Sequence, residues 1–385
     1  MNFPEDSKLP GVGTTIFTIM SQLAQQTGAI NLSQGYPDFN PPARLLDLLS
    51  HYIREGFNQY PPMTGVPKLR EEIANKVQRL YGAAVDVDSE ITVTSGATEA
   101  LFVAVQAVVT RDEEVIVLDP AYDSYEPAVA LAGGRTVHVP LLPGTFGLDI
   151  ERIRQAITAK TRMIVLNSPH NPCGSTVSRQ ELDELAGLVR GRDIFILSDE
   201  VYEHMVFDGQ PHLSLLGHEE LRARSFVVSS FGKTYHATGW KVAYCIAPPA
   251  LSAEFRKIHQ YVTFTTHTPT QWALADYLAE DPGHYLGLPD FYQAKRDLFL
   301  SLMADSGFTM QPSPGTYFQL ADYSALSDMP DTDFARHLTE NHGVAAIPIS
   351  VFYETPPEQR VVRFCFAKAD DTLAQAADRL RGVAQ

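Results

Sequence analysis

The chain has 385 residues, and at about 150 residues per domain that length allows two or three domains rather than one small binding module. Its 30 basic against 46 acidic residues leave a net charge of −16, which argues against a surface that grips nucleic acid or anionic lipid by neutralising phosphates. Hydrophobic residues at 44% and charged residues at 20% match a folded chain, so the one cationic feature left open is a local pocket.

Read from the start, Met1-Asn2-Phe3-Pro4-Glu5-Asp6 carries acids and a proline where a secretory signal has a basic start and an apolar run. No stretch approaches the ~18 apolar residues of a membrane span. Cys173, Cys245 and Cys365 form no CxxC pair, the usage of a reducing compartment, and the expected location is cytoplasmic. Residues 1–40 hold Pro10, Gly11, Gly13, Gly35 and Pro37 with little periodicity, and are expected to form an arm packing with the small domain described below.

From about residue 41 to 285, short apolar runs alternate with helical patterns, the signature of an α/β domain whose central sheet is mostly parallel and flanked by helices. Strands are expected at 90–94, 114–118, 163–166, 194–197, 226–228 and 241–246. A helix over 97–109 repeats Ala97, Leu101, Ala104, Val105 and Val108 at helical spacing. Another opens at Ser178, three residues before Glu181, as a capping box. Beyond 285 a long helix at 287–306, strands near 316–320, 344–347 and 361–366, and helices at 331–342 and 370–382 predict a smaller α+β domain over 286–385.

In an open α/β sheet ligands bind beyond the carboxyl ends of the strands, so the residues following each apolar run are the informative ones. After 90–94 comes Ser95-Gly96-Ala97-Thr98-Glu99: an ordinary glycine turn, or free N–H groups at a helix start that would suit a phosphate. Tyr122 follows 114–118 as a packing ring or a stacking one, and Asn171 follows 163–166 as a turn former or a polar ligand. Asp199, Glu200 and Tyr202 follow 194–197, where an acid either caps a helix or meets a ligand. Lys233 follows 226–228 among small and hydroxyl residues, a setting in which an amine of lowered pKa acts as nucleophile or base. A lysine for a Schiff base, a carboxylate for a ring nitrogen, a ring to stack and a phosphate cradle together describe a pyridoxal phosphate site.

The run Ser230-Phe231-Gly232-Lys233, with Gly239-Trp240-Lys241 after it and Asn171-Pro172 and Asp199-Glu200-Val201-Tyr202 before it, resembles the fold-type I, class I/II pyridoxal-phosphate-dependent aminotransferases over nearly the whole chain. Asn31 to Phe39, Ile347 to Tyr353 and Arg363 to Phe366 are most similar to the branch that holds methionine and kynurenine/glutamine aminotransferases. By that resemblance Lys233 bonds the cofactor and then shuttles the substrate Cα proton, Asp199 pairs with the pyridinium nitrogen, and Asn171 and Tyr202 hydrogen-bond the phenolic oxygen. Tyr122 stacks on the ring, while Ala97, Thr98, Ser230 and Lys241 hold the phosphate. Many members have arginine where this chain has Lys241, a choice the Gly-Trp-Lys branch shares.

The resemblance also makes Arg363 the grip on the substrate carboxylate, with a backbone contact from Gly35 and an apolar lining from Phe17, Tyr36 and Tyr60. Tyr60 matches the tyrosine that reaches a partner subunit's phosphate, which implies a homodimer. The implied reaction moves the amino group of a neutral or apolar L-amino acid, of methionine, aromatic or glutamine type, to a 2-oxo acid by a ping-pong mechanism. Two other readings are β-elimination from cysteine S-conjugates and a non-catalytic cofactor-binding regulator, the latter disfavoured by the charge and by the lack of a helix-turn-helix segment. Partners are therefore expected to be small molecules, with no nucleic acid, membrane or bound metal. Neither a GxGxxG nor an HExxH motif is present.

Overall fold

The computed structural model describes residues 7–384; the acidic start over residues 1–6 lies outside it. Twelve strands follow one another: β1 Ile30–Asn31, β2 Ile91–Thr94, β3 Glu114–Asp119, β4 Arg135–Pro140, β5 Thr161–Asn167, β6 Phe195–Asp199, β7 Ser225–Ser230, β8 Ala243–Ile246, β9 Phe318–Asp322, β10 Val344–Ala345, β11 Ile347–Pro348 and β12 Val361–Cys365. Seven of them form one sheet in the order β2-β8-β7-β6-β5-β3-β4. The β4-β3-β5-β6-β7 neighbours are parallel and only β8 runs against its two partners. Strands β3 and β5 to β8 are buried almost throughout, because helices cover both faces, and this is why they read as unbroken apolar runs rather than alternating ones.

The fold is the expected α/β one, with a mostly parallel sheet between helices. The capping box is present: the Ser178 side chain accepts from Glu181 N–H while the Glu181 carboxylate takes the Ser178 N–H. Two apolar clusters lie on opposite faces of the sheet. One is built on Ala100, Val103, Ala104 and Val117 and the other on Ile73, Ile116, Ile164 and Ile196. Beyond the sheet, β11, β12 and β9 form a three-stranded antiparallel sheet, and β1 of the N-terminal arm pairs in parallel with β10.

Three sequence expectations need correction. The arm is not irregular: Ile16–Thr27 is a helix capped by the Thr15 side chain and ended by Gly28 at φ +69. It buries only Met20 and Ala24 fully, too narrow a stripe to stand out by periodicity. The long helix runs Pro282–Leu302 instead of 287–306, because Asp281 caps it and Pro282 occupies the first turn, where no N–H is needed. Gly283, Gly287 and Pro289 lie in its first half and disguise its start, and the residue-285 division drawn from sequence falls inside it. Finally, Lys241 precedes the last strand of the main sheet rather than opening it. A single 3₁₀ turn, Thr238–Trp240, is followed by Lys241 in left-handed conformation at φ +55, and β8 starts only at Ala243.

Candidate active site

At the carboxyl ends of β5, β6 and β7 the main sheet opens into a cavity of about 360 Å³. Phe17, Gly35, Tyr36, Ala97, Thr98, Tyr122, Asn171, Asp199, Tyr202, Ser230, Lys233, Lys241 and Arg363 all line it. Residues from the arm, from five strand ends and from the C-terminal sheet therefore converge on one space. Tyr60 alone of the expected set is elsewhere in its own chain: it is 83% exposed and packs edge-on against Phe264 at 5.3 Å.

Asp199 ends β6 with its carboxylate buried, accepting from the Tyr125 hydroxyl at 2.7 Å and from Val201 N–H at 3.3 Å. Burial pushes its pKa up to about 6 even though the Tyr125 bond and Lys233 pull the other way. Asn167, at the end of the neighbouring β5, donates to the Asp199 carbonyl at 2.9 Å and accepts from Asn171 N–H at 2.8 Å, so it ties the Asp199 and Asn171 loops together.

Lys233 sits in the short helix Phe231–Thr234 that leaves β7. The side chain is half-buried, and its ammonium donates to the Tyr317 hydroxyl at 2.9 Å and to the Gly35 carbonyl at 3.1 Å. Burial lowers its pKa to about 8, within reach of a working neutral amine. Arg363, in β12, is wholly buried. Its Nη1 donates to Asn171 Oδ1 at 2.6 Å and its Nη2 to the Ser33 carbonyl at 2.9 Å, and its guanidinium stacks 3.8 Å over the Phe318 ring. Its Nε is buried with no hydrogen-bond partner, and burial lowers its pKa to about 10. An orphaned N–H on a desolvated cation is a place for an acceptor of opposite charge.

On the opposite wall the helix Ala97–Val108 starts at Gly96, whose φ is +86 and which offers no side-chain cap. The first N–H groups and the positive end of the helix dipole therefore face the cavity. A Cβ on Gly96 would come within 2.9 Å of Lys241 Cε and 3.0 Å of its Nζ, so the left-handed turn at Lys241 lays its ammonium directly over this helix start. Tyr122 overhangs the same wall and meets Tyr125 edge-on at 5.7 Å, and its phenol is pushed up to about 12, chiefly by burial.

Sequence reasoning missed Gln34, Asn167, Tyr125, Tyr317 and Phe318. Asn167 and Tyr125 had a signal: one ends β5 beside Asp199, and the other lies one helical turn after Tyr122. Tyr317 and Phe318 carry no local mark, since they reach the cavity only through the fold of the C-terminal sheet.

A family description, aminotransferase class I and II, matches residues 27–380. The chain is 53% identical over 375 residues to methionine aminotransferase from Escherichia coli (strain K12), covering 97% of each. It is 33% identical over 408 residues to kynurenine–oxoglutarate transaminase 1 from Homo sapiens, again covering 97% of each. Among solved structures, one identified as a methionine aminotransferase from Escherichia coli superposes with a TM-score of 0.97 at 52% identity, covering 99% of this chain and all of that one.

Proposed function

The chain belongs to the class I and II aminotransferases, and from that premise we propose that it holds pyridoxal 5′-phosphate on Lys233 and transfers the amino group of a neutral or apolar L-amino acid to a 2-oxo acid. The observation that carries this reading is one cavity that brings together a half-buried amine of lowered pKa, a buried carboxyl of raised pKa and a buried arginine. These residues fit the cofactor. Asp199, desolvated and unmatched by a close cation, suits a protonated ring nitrogen, and the uncapped helix start under Lys241 suits a phosphate. Ser230 and Thr98 add hydroxyls at the same end, Asn171 and Tyr202 suit the phenolic oxygen, and Tyr122 suits the ring face.

When bound, pyridoxal phosphate supplies an aldehyde that bonds a primary amine and a ring that takes up the electron pair left when Cα loses its proton. Lys233 would hold the proton taken from Cα and return it to the carbon on the other side of the nitrogen, a task that needs an amine neutral near working pH. Asp199 would hold a protonated ring nitrogen and would itself be ionised by that pairing. Arg363 would grip the substrate carboxylate and orient the Cα–H bond, which positioning alone rewards strongly. Phe17, Tyr36 and Phe318 line the substrate side with apolar surface suited to a methionine, aromatic or glutamine-like side chain. The similarity to a methionine aminotransferase and to a kynurenine transaminase supports that donor class.

The exposed Tyr60, remote from its own cavity, supports a homodimer in which Tyr60 of the partner subunit completes each phosphate site. No helix among the described residues is long and apolar enough to cross a membrane. Three buried unpaired cysteines support a cytoplasmic location.

The test is an absorbance spectrum of the purified protein before and after borohydride, repeated for Lys233→Ala. A lysine-dependent band that borohydride abolishes is expected, and its absence overturns the cofactor assignment. A donor screen then separates substrates: bleaching by methionine or an aromatic amino acid is expected, and bleaching by aspartate alone refutes the apolar-donor assignment.

A further inference from the structure

The Lys233 amine is held by two oxygens that no strand-end pattern pointed to. Tyr317 Oη lies 2.9 Å from Lys233 Nζ and 2.5 Å from the Gly35 carbonyl, and the same carbonyl lies 3.1 Å from Nζ. The three polar atoms form a triangle, with the Tyr202 hydroxyl as a further neighbour of the Tyr317 hydroxyl. Its donor directions follow from counting protons. The Gly35 carbonyl has none to give, so the single phenolic proton goes to that carbonyl, and the phenolic oxygen is left to accept from the lysine.

Packing fixes the triangle in place. The Tyr317 ring meets Tyr202 edge-on at 5.1 Å, Phe318 at 5.0 Å and Tyr292 at 5.7 Å, and the residue is wholly buried. Gly35 is pressed onto the same surface: a Cβ there would come within 2.6 Å of Phe318 Cζ and 3.2 Å of Tyr317 Cε2. The arm backbone is thus seated against the Tyr317-Phe318 pair by contacts that only a glycine permits.

We propose that Tyr317 is the positioning residue for the free Lys233 amine, accepting its N–H while the arm carbonyl of Gly35 holds the phenolic proton away. The proposal deepens the aminotransferase reading and rests on it for its purpose. A lysine that bonds the cofactor and is later freed by a substrate amine would need a defined resting point, and a fixed phenolic oxygen provides one. Because the phenol's direction is set by the arm, the arm that lines the substrate side also sets the lysine's aim.

Tyr317→Phe keeps the ring and its three aromatic contacts and removes only the oxygen. An acceptor stabilises the charged ammonium, so its loss lowers the lysine's titration midpoint. The primary test is the pH profile of Lys233 acetylation by acetic anhydride in the full-length chain stripped of cofactor, read by peptide mass spectrometry. The wild-type midpoint is expected near 8. In Tyr317→Phe it is expected about one pH unit lower, so that Lys233 reacts about five times faster at pH 7. An unchanged or raised midpoint overturns the proposal, because a packing role alone leaves the lysine's titration where it was.

The second measurement uses the cofactor-loaded enzyme. Here kcat is expected to fall about tenfold with KM altered less than about threefold, since the phenol acts on the lysine and not on substrate binding. A loss confined to KM also overturns it. The labelling profile requires no turnover, so it distinguishes failure of this proposal from failure of the aminotransferase reading: a chain that never binds pyridoxal phosphate still reports whether Tyr317 governs Lys233.

Discussion

Two buried carboxylates four residues apart, Asp199 and Glu203, have opposite fates. Glu203 lies behind the cavity, where its Oε1 meets Lys76 Nζ at 2.6 Å and Tyr244 Oη at 3.1 Å, while its Oε2 accepts from the Tyr81 hydroxyl. Lys76 Nζ also donates to Tyr244 Oη at 2.7 Å. Burial alone would raise the Glu203 pKa, but Lys76, His204 and the Tyr81 hydroxyl together outweigh it and the carboxyl ends well below the usual range. Asp199 is buried to the same extent with two neutral donors, and its carboxyl rises to about 6. Burial is common to both, and the close cation is what differs. A buried charge whose partner lies in the chain is architecture, whereas one left short of a partner marks where a ligand belongs.

The largest test of this contrast is Lys233→Ala, which is expected to lower amino transfer by at least about 10⁴-fold through loss of the group that moves the proton. The folded state should survive it, because Lys233 has no carboxylate to strand; steady-state kinetics beside a thermal melt separate the two effects. Next comes Lys76→Met, which leaves Glu203 as an uncompensated buried charge. It should cost about 3–5 kcal/mol of stability in denaturant unfolding. A cost under about 1 kcal/mol would break the comparison.

Asp199→Asn should do the reverse in the cofactor-free chain. The Asp199 pKa is raised on folding, so its stabilising contribution is complete below its unfolded value near 4 and is lost as pH climbs through about 6. At pH 8 the asparagine variant is therefore expected to be more stable than wild type by up to about 3 kcal/mol, and at pH 3.5 no different. Equal stabilities at pH 8 would show that Asp199 already has its partner within the chain. The same variant should lose cofactor affinity, read by titration of the visible band.

The smallest of these effects is expected from Gly96→Ala. The substitution forces a side chain into a backbone at φ +86 and against Lys241, and should weaken cofactor binding about tenfold while leaving substrate KM nearly unchanged in cofactor-saturated enzyme. It sharpens the comparison by asking whether the helix start and Lys241 act as one anion site.

Much of the site was legible because it is local. A buried strand of an α/β sheet declares itself as a short apolar run, and the next residue stands at the sheet edge whatever the rest of the chain does. Asp199, Ser230 and the Ala97 helix start were placed by that rule alone, and Lys233 and Asn171 by the turns that follow. Other features resisted it. The arm helix Ile16–Thr27 and the Pro282–Leu302 helix were hidden by a narrow buried stripe and by Gly283, Gly287 and Pro289. Lys241 looked like a strand residue until its left-handed backbone turned it under Gly96.

The order of amino acids by itself determined the buried strands of the main sheet, though not its half-exposed edge strand Arg135–Pro140, together with the chemistry offered at the strand ends and the membership of an aminotransferase family. Only the tertiary structure decided which of those groups are satisfied. Tyr125 reaches Asp199 across 74 residues, and Tyr317 reaches Lys233 across 84 and Gly35 across 282. Propensity and periodicity act over a turn or a strand, whereas the state of a buried charge depends on every partner the fold brings within hydrogen-bond distance. That is why Asp199 and Glu203, four residues apart, end as a buried carboxyl without a close cation and as half of a structural ion pair.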